Sequence, residues 1–253
     1  MKKILFILLI ISLKAFGQSI EHFEPSSWWI GMKNPKLQVL VHGKDISSFS
    51  VNVNYPGVKL LKVNKTENPN YLFVDLTIAP NARAGKVPFR FTKGNQKTEY
   101  SLDLKNRKPN SAQREGYSQK DVIYLLTPDR FANGNPQNDN IAGYPDALNR
   151  TRDYGRHGGD IAGIRKNLNY ISDMGFTTIW PMPLEENKME EASYHGYAIT
   201  DFYKIDPRYG TNEDYLNLVK ESKQKGLKFI RDVVLNHCGL NHWWMKDLPS
   251  KDW

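Results

Sequence analysis

The chain has 253 residues, of which 40% are hydrophobic, 25% charged and 12% aromatic, with 18 Gly and 14 Pro. That is the composition of one or two globular domains, and it excludes disorder, collagen and coiled coil. The formal charge of +8 is uneven: residues 1–17 hold three Lys, residues 18–110 hold 14 basic and seven acidic residues, and residues 111–253 hold 18 basic and 20 acidic. The excess is scattered Lys without an Arg-dense stripe, which reads as solvated surface and not as a nucleic-acid footprint.

At the N-terminus, the apolar run Ile4 to Leu13 is shorter than the roughly 18 residues a membrane span requires, so no membrane span is expected. Met1-Lys2-Lys3 before it and Ala15-Phe16-Gly17 after it give the charge, apolar run and cleavage-site order of a secretory signal over residues 1–17. The protein is therefore expected to be exported, to the periplasm or the cell surface. A buried N-terminal strand is the alternative, and the polar turn from Gln18 onward speaks against it. The one cysteine, Cys238, cannot form an intrachain disulfide, which leaves core burial and a metal to hold the fold.

From Leu37 to Leu104 the apolar residues alternate: Leu37, Val39, Val41; Phe49, Val51, Val53; Leu72, Val74, Leu76, Ile78; Val87, Phe89, Phe91; Tyr100, Leu102, Leu104. Turn signals at Tyr55-Pro56-Gly57, Asn68-Pro69-Asn70 and Lys93-Gly94-Asn95 separate them. This is the pattern of an all-β, immunoglobulin-like sandwich over residues 18–108. A polar linker follows at 109–119.

Beyond it, from residue 120 to 253, the pattern changes. Asp121 to Leu126 is a compact strand. Ile161, Ile164, Leu168, Ile171 and Met174 make one helical face stopped by Gly175, and Phe176 to Trp180 is a second buried strand. Thr211 with Asp214 predicts a capping box opening a helix that ends at Gly226, and Leu227 to Leu235 is a third strand. Strand, helix, strand, helix, strand predicts a parallel sheet. A closed (β/α)8 TIM barrel takes roughly 250 residues, whereas residues 111–253 offer 143 and three strands, so a barrel here is expected to be incomplete.

Chemistry is expected at the carboxyl ends of such strands. Asp232-Val233-Val234-Leu235-Asn236-His237 sets a carboxylate, an amide and an imidazole there, although alone it could simply satisfy loop backbone. Tyr194-His195-Gly196-Tyr197 follows the second strand with an aromatic ring, an imidazole and a Gly that allows close approach. Sugar rings offer flat CH faces rimmed by hydroxyls, so an aromatic ring beside His and Asp suits a carbohydrate. Asn133-Gly134-Asn135-Pro136-Gln137-Asn138-Asp139 and Gly158-Gly159-Asp160 are rich in the oxygen ligands that calcium prefers, or are merely turns.

In order and spacing, Val122-Ile123-Tyr124 leading into Asp129-Arg130-Phe131, then Gly158-Gly159-Asp160, Tyr194 to Tyr197 with Asp201-Phe202, and Asp232 to His237 resemble the first three β/α units of the α-amylase family, glycoside hydrolase family 13. Trp28-Trp29-Ile30-Gly31-Met32 and His242-Trp243-Trp244-Met245-Lys246-Asp247 make the chain similar to the cyclomaltodextrinase and neopullulanase group of exported enzymes, which carry an N-terminal β-domain. The resemblance implies an α-glucan hydrolase that cleaves α-1,4 bonds of cyclodextrins, pullulan or maltooligosaccharides with retention, in carbohydrate metabolism. It implies that Tyr197 stacks on the sugar at the cleavage subsite, that His195 and His237 hydrogen-bond its hydroxyls, and that Asp232 holds an arginine near the nucleophile. It also implies a structural calcium held by Asn133, Asn135, Asn138, Asp139, the Gly158 carbonyl and Asp160. Asn133 stands where relatives often have Asp, which lowers the ligand charge.

Retaining hydrolysis needs two carboxyl groups, and in this family they come from the fourth and fifth strands. Neither Asp201 nor Asp232 matches those motifs. No catalytic residue is assigned, and the expectation is a truncated, inactive chain whose open sheet edges and uncovered apolar face favour aggregation. The alternative from another class is a non-catalytic glucan-binding protein. A metal-dependent hydrolase using His195, His237 and Asp232 fails on ligand spacing. Composition does not fix an oligomeric state.

Overall fold

The alternation over residues 37–104 becomes strands, because successive side chains of an extended chain point to opposite faces and one face can then be buried throughout. The structure, a computed structural model, describes residues 20–253; the leader expected at residues 1–17 lies outside the described residues. The chain divides into two units, one reaching to Gln113 and including Leu248–Trp253, the other Arg114–Asp247.

The first unit holds β1 (His22–Glu24), β2 (Ser27–Trp29), β3 (Lys36–His42), β4 (Ser50–Val53), β5 (Val58–Lys65), β6 (Tyr71–Ile78), β7 (Gly85–Lys93) and β8 (Gln96–Lys105). They form two four-stranded sheets, ordered β1-β3-β6-β5 and β2-β8-β7-β4. This is the β-sandwich expected. Val39, Val41, Leu72, Val74, Leu76, Val87, Phe89, Phe91 and Leu102 have no exposed surface and share one core, each contributing about 1.5–3 kcal/mol by leaving water. Strand β5 was not expected. Its register slips between Leu60 and Lys62, so Leu61 faces solvent and the period of two is lost midway. Strands β1 and β2 are three residues each, too short to show a period.

The second unit holds β9 (Ile123–Leu126), α1 (Pro128–Phe131), α2 (Ile161–Lys166), α3 (Leu168–Asp173), β10 (Thr178–Pro181), β11 (Glu185–Glu186), β12 (Asp201–Ile205), α4 (Asn212–Gln224), β13 (Lys228–Phe229) and α5 (Trp243–Lys246). Strand β10 is central and runs parallel to β9 on one side and β13 on the other. Leu126, Ile161, Ile164, Leu168, Ile171, Ile179, Leu218 and Leu227 pack between sheet and helices. The arrangement is that of an incomplete TIM barrel, as expected. Helix α4 opens with the expected capping box, in which Thr211 and Asp214 satisfy each other's backbone N–H.

Three expectations about the elements are corrected. The single helix over residues 161–174 is two short helices that meet at Asn167, whose Nδ2 donates to Gly163 O at 2.8 Å. An amide that bonds nearby backbone competes with the helical ladder. Met174 sits just past the second helix and is 60% exposed, so it lies off the buried face. The second strand begins later than Phe176 and ends on Pro181, with Trp180 exposed at its end. The third strand, expected to reach Leu235, pairs only over Lys228–Phe229, and Leu235 is 93% exposed. Strand β13 has β10 as its one neighbour among the described residues, so the ladder bonds that would extend it are not made.

Candidate functional site

The loop between β11 and β12 carries Tyr194 to Tyr197, and a hairpin closes it at its base. Glu185 and Glu186 face Ile205 and Asp201, Thr200 N donates to Glu186 O at 2.7 Å, and Lys188 N donates to Thr200 Oγ1 at 2.9 Å. Tyr209 Oη fixes the loop from below by donating to Tyr194 O at 2.9 Å. Gly196 is required here. Its φ is +80°, and a Cβ would fall 2.2 Å from Pro183 O.

Within this frame the structure brings together Tyr197, His195 and His237, singled out for sugar contact, and Asp232, singled out to hold an arginine. Tyr197 Oη donates to Asp232 Oδ2 at 3.0 Å, and Tyr197 N donates to His195 Nδ1 at 2.9 Å. His237 Nε2 lies 3.0 Å from Tyr197 O. The rings of His195 and Tyr197 lie nearly parallel, 25° apart, with centroids at 5.9 Å.

These contacts set protonation. Because His195 Nδ1 accepts a backbone N–H, its own proton must reside on Nε2, from which it can donate to a ligand. Burial pulls the His195 pKa below the ordinary histidine value, so the neutral ring is the working form at neutral pH. Burial, followed by the hydrogen bond to Asp232 and that carboxylate's charge, raises the Tyr197 phenol. For His237, donation from Nε2 to the Tyr197 carbonyl leaves Nδ1 to accept from Asn236 Nδ2 at 3.3 Å. In this arrangement His237 ties two segments together and both its nitrogens are engaged.

A residue not singled out also belongs to the cluster: Trp180 Nε1 donates to Asp232 Oδ2 at 3.2 Å. The signal for it was available, since Trp180 lies near the carboxyl end of the second parallel strand, where such folds gather their sites. Also near the loop, the Arg130 guanidinium lies over the Tyr194 ring, 4.1 Å from its centre. Asp129 beside it is buried and accepts from His157 N at 2.7 Å and Gly158 N at 3.2 Å.

The candidate calcium loop divides into two groups. Asp160 is fully buried, and its carboxylate already accepts Gly134 N and Asn135 N, along with Gly163 N at the start of α2. Asn135 Oδ1 likewise accepts Gln137 N at 3.3 Å. Asn133 and Asn138 differ, because the Oδ1 of each is buried without a hydrogen-bond partner. Asn133 Nδ2 donates to Asp139 Oδ1 at 2.7 Å. Gly158 presses against the same atoms, with φ +86° and a would-be Cβ only 2.5 Å from Asp139 Oδ1. Buried, unmet amide oxygens on Asn133, whose Nδ2 meets the Asp139 carboxylate, and on Asn138 are of the ligand type that a hard cation prefers. Among the described residues no group of three or more His, Cys, Asp or Glu is disposed to hold a metal, so any ion here would need amide and carbonyl oxygens beside Asp139.

A model of the alpha-amylase catalytic domain matches residues 123–253, more than half of the chain. The chain belongs to the alpha-amylase family. A second model, of the N-terminal domain of cyclomaltodextrinase, matches residues 22–108, which covers the β-sandwich. The chain is 43% identical over 120 residues to a beta/alpha-amylase of Paenibacillus polymyxa, spanning 47% of this chain and 10% of that protein. It is 39% identical over 101 residues to the oligo-1,6-glucosidase IMA5 of Saccharomyces cerevisiae, spanning 38% of this chain and 17% of that one. Among solved structures, an Anoxybacillus alpha-amylase shares 44% identity, covering 55% of this chain and 29% of that one with a TM-score of 0.49. This alpha-amylase-family chain thus spans a small part of the length of the relatives it matches.

Proposed function

We propose that His195, Tyr197 and Asp232 grip one glucose unit of an α-glucan, and that they belong to a retaining α-1,4-glucan hydrolase of the cyclomaltodextrinase and neopullulanase type. The convergence of Tyr197 and Asp232 carries this reading. The CH face of a pyranose would rest on the aromatic platform at Tyr197. Neutral His195 would donate from Nε2 to a ring hydroxyl, and Asp232, accepting from Tyr197 and Trp180, would keep lone pairs for another. His237 contributes by holding the Tyr197 backbone.

Retaining cleavage proceeds through a covalent glycosyl-enzyme, formed by one carboxylate while a second protonates the leaving oxygen and later activates water. Asp201 is not assigned either part, because its position matches neither motif. For these 253 residues by themselves the proposal is sugar binding without turnover. The same binding would serve a non-catalytic glucan-binding protein, and an assay of turnover separates the two readings.

We also propose a structural calcium held by Asn133, Asn138, Asp139 and the Gly158 carbonyl, with Asp160 and Asn135 shaping the loop behind it. When bound, the ion would supply positive charge to oxygens that otherwise lack partners. Export to the periplasm or cell surface is proposed from the leader pattern at residues 1–17.

Isothermal titration of the whole chain with maltoheptaose and β-cyclodextrin tests the sugar reading. Saturable binding by the native chain and its loss in Tyr197→Ala are expected, with no reducing ends released. A folded chain that binds neither sugar would overturn it.

A further inference from the structure

The segment Arg231 to Cys238 carries both Asp232 and His237, yet its backbone is almost unsupported. Ile230 N donates to Ile179 O at 2.9 Å, and the next backbone pairing is Gly239 N to Ile199 O at 2.7 Å. Between these points no backbone–backbone hydrogen bond forms among the described residues. Side chains hold the segment instead.

Asp232 is held by Tyr197 and Trp180, and His237 by the Tyr197 carbonyl. Arg231, the residue before Asp232, reaches a different partner: its Nε donates to Glu185 Oε1 at 2.9 Å, and its Nη2 donates to the same oxygen. The Glu185 carboxylate is buried, with 6% of its side chain exposed, whereas 53% of the Arg231 side chain is exposed. A buried carboxylate is costly unless it is paired, so Glu185 dictates where Arg231 lies. It does so from β11, which closes the base of the loop that carries Tyr197. One short strand therefore fixes the Tyr197 loop through its backbone and the Asp232 segment through its side chain.

We propose that Glu185 is a positioning residue, which through Arg231 sets the depth at which Asp232 meets Tyr197 and Trp180. Glu185 touches no ligand in this account. The consequence for sugar affinity rests on the function proposed above; the coupling between Glu185 and Asp232 does not.

The test reads the indole N–H of Trp180 in ¹H–¹⁵N spectra of the whole chain without sugar, its peak assigned by Trp180→Phe. Asp232→Asn supplies the reference position for a changed acceptor. Three variants are compared: Glu185→Leu, Arg231→Met and the double variant. The double variant removes both charges and leaves no buried carboxylate unpaired, so it keeps the test valid even should a single variant fail to fold. Both single variants are expected to move the Trp180 indole peak away from its native position, and the double variant to move it no further than either alone. The affinity for maltoheptaose should fall about tenfold in each, the order expected for one charge-assisted hydrogen bond.

An unmoved indole peak in Arg231→Met or in the double variant overturns the proposal, and so do additive shifts in the double variant, which would mean that Glu185 acts without Arg231. If the peak responds as described but no variant and no native chain binds maltoheptaose, the positioning role stands and the sugar reading falls.

Discussion

Tyr197 and Asp232, separated by 35 residues of sequence, meet through a 3.0 Å hydrogen bond from the phenol to a carboxylate oxygen. The contact joins the loop after the second parallel strand to the segment after the third. It also tethers the ring that is proposed to face the sugar, since its hydroxyl end is held against Asp232.

Replacing Tyr197 with Phe keeps the ring and removes this bond, leaving Asp232 with Trp180 alone among the donors described here. Maltoheptaose affinity is expected to fall roughly 10- to 150-fold, about 1.5–3 kcal/mol for one hydrogen bond to a charged group. Tyr197→Ala should cost more, because the stacking surface goes with it. Equal affinities of the Phe variant and the native chain in calorimetry would show that this tether plays no part in binding.

The pH dependence follows from His195. Its Nδ1 accepts the Tyr197 N–H, and burial depresses its pKa, so the folded chain holds this proton less tightly than the unfolded chain does. The stability it contributes is therefore present above the unfolded value, about 6.5, and is lost as the pH falls from there through the lower folded value. In His195→Asn, whose amide oxygen can still accept, the thermal midpoint should depend less on pH over that range. Parallel melting curves for the two proteins between pH 7 and 5 would refute the assignment.

The buried ion pair of Asp206 and Arg208 predicts a large loss of stability. Neither side chain is exposed, and Arg208 also donates to Asp146 O and Asn187 O at 2.9 and 2.7 Å. Burial alone would raise the Asp206 pKa, but hydrogen bonds from Arg208 and its charge outweigh that and hold it below the ordinary value. Asp206→Asn leaves a buried guanidinium uncompensated and should cost about 3–5 kcal/mol. A denaturant midpoint unchanged from the native protein would contradict this.

Calcium binding predicts a shift in stability. With calcium in excess of its dissociation constant, the melting temperature of the native chain should rise, by the stabilisation that any ligand selective for the folded state confers. Removing the unmet oxygen in Asn138→Leu should abolish that rise without abolishing the fold. An equal rise in both proteins, or none in the native chain, counts against the site.

Much of the fold was legible because burial leaves a period. Val39, Val74 and Phe89 alternate in sequence because one face of each strand is sealed, and Thr211 with Asp214 announced a helix start because capping is local. What failed to show was either too short or interrupted. Strand β5 lost its period where Leu61 was pushed out, and β11 is only two residues long. At the candidate site, His195, Tyr197, Asp232 and His237 were legible as residue types at strand ends, but Trp180 and Glu185 were not distinguished from core and loop.

The sequence by itself determined the alternating strands, the capped helix and the family to which the chain belongs, because each rests on local spacing or on an ordered run of motifs. Tertiary structure alone decided which partners those side chains meet. His195 became an acceptor at Nδ1, His237 became a tie, and the Asp232 segment came to rest on Glu185 through Arg231. Hydrogen bonds and ion pairs act over about 3 Å, and residues tens of positions apart come within that reach only when the chain has folded.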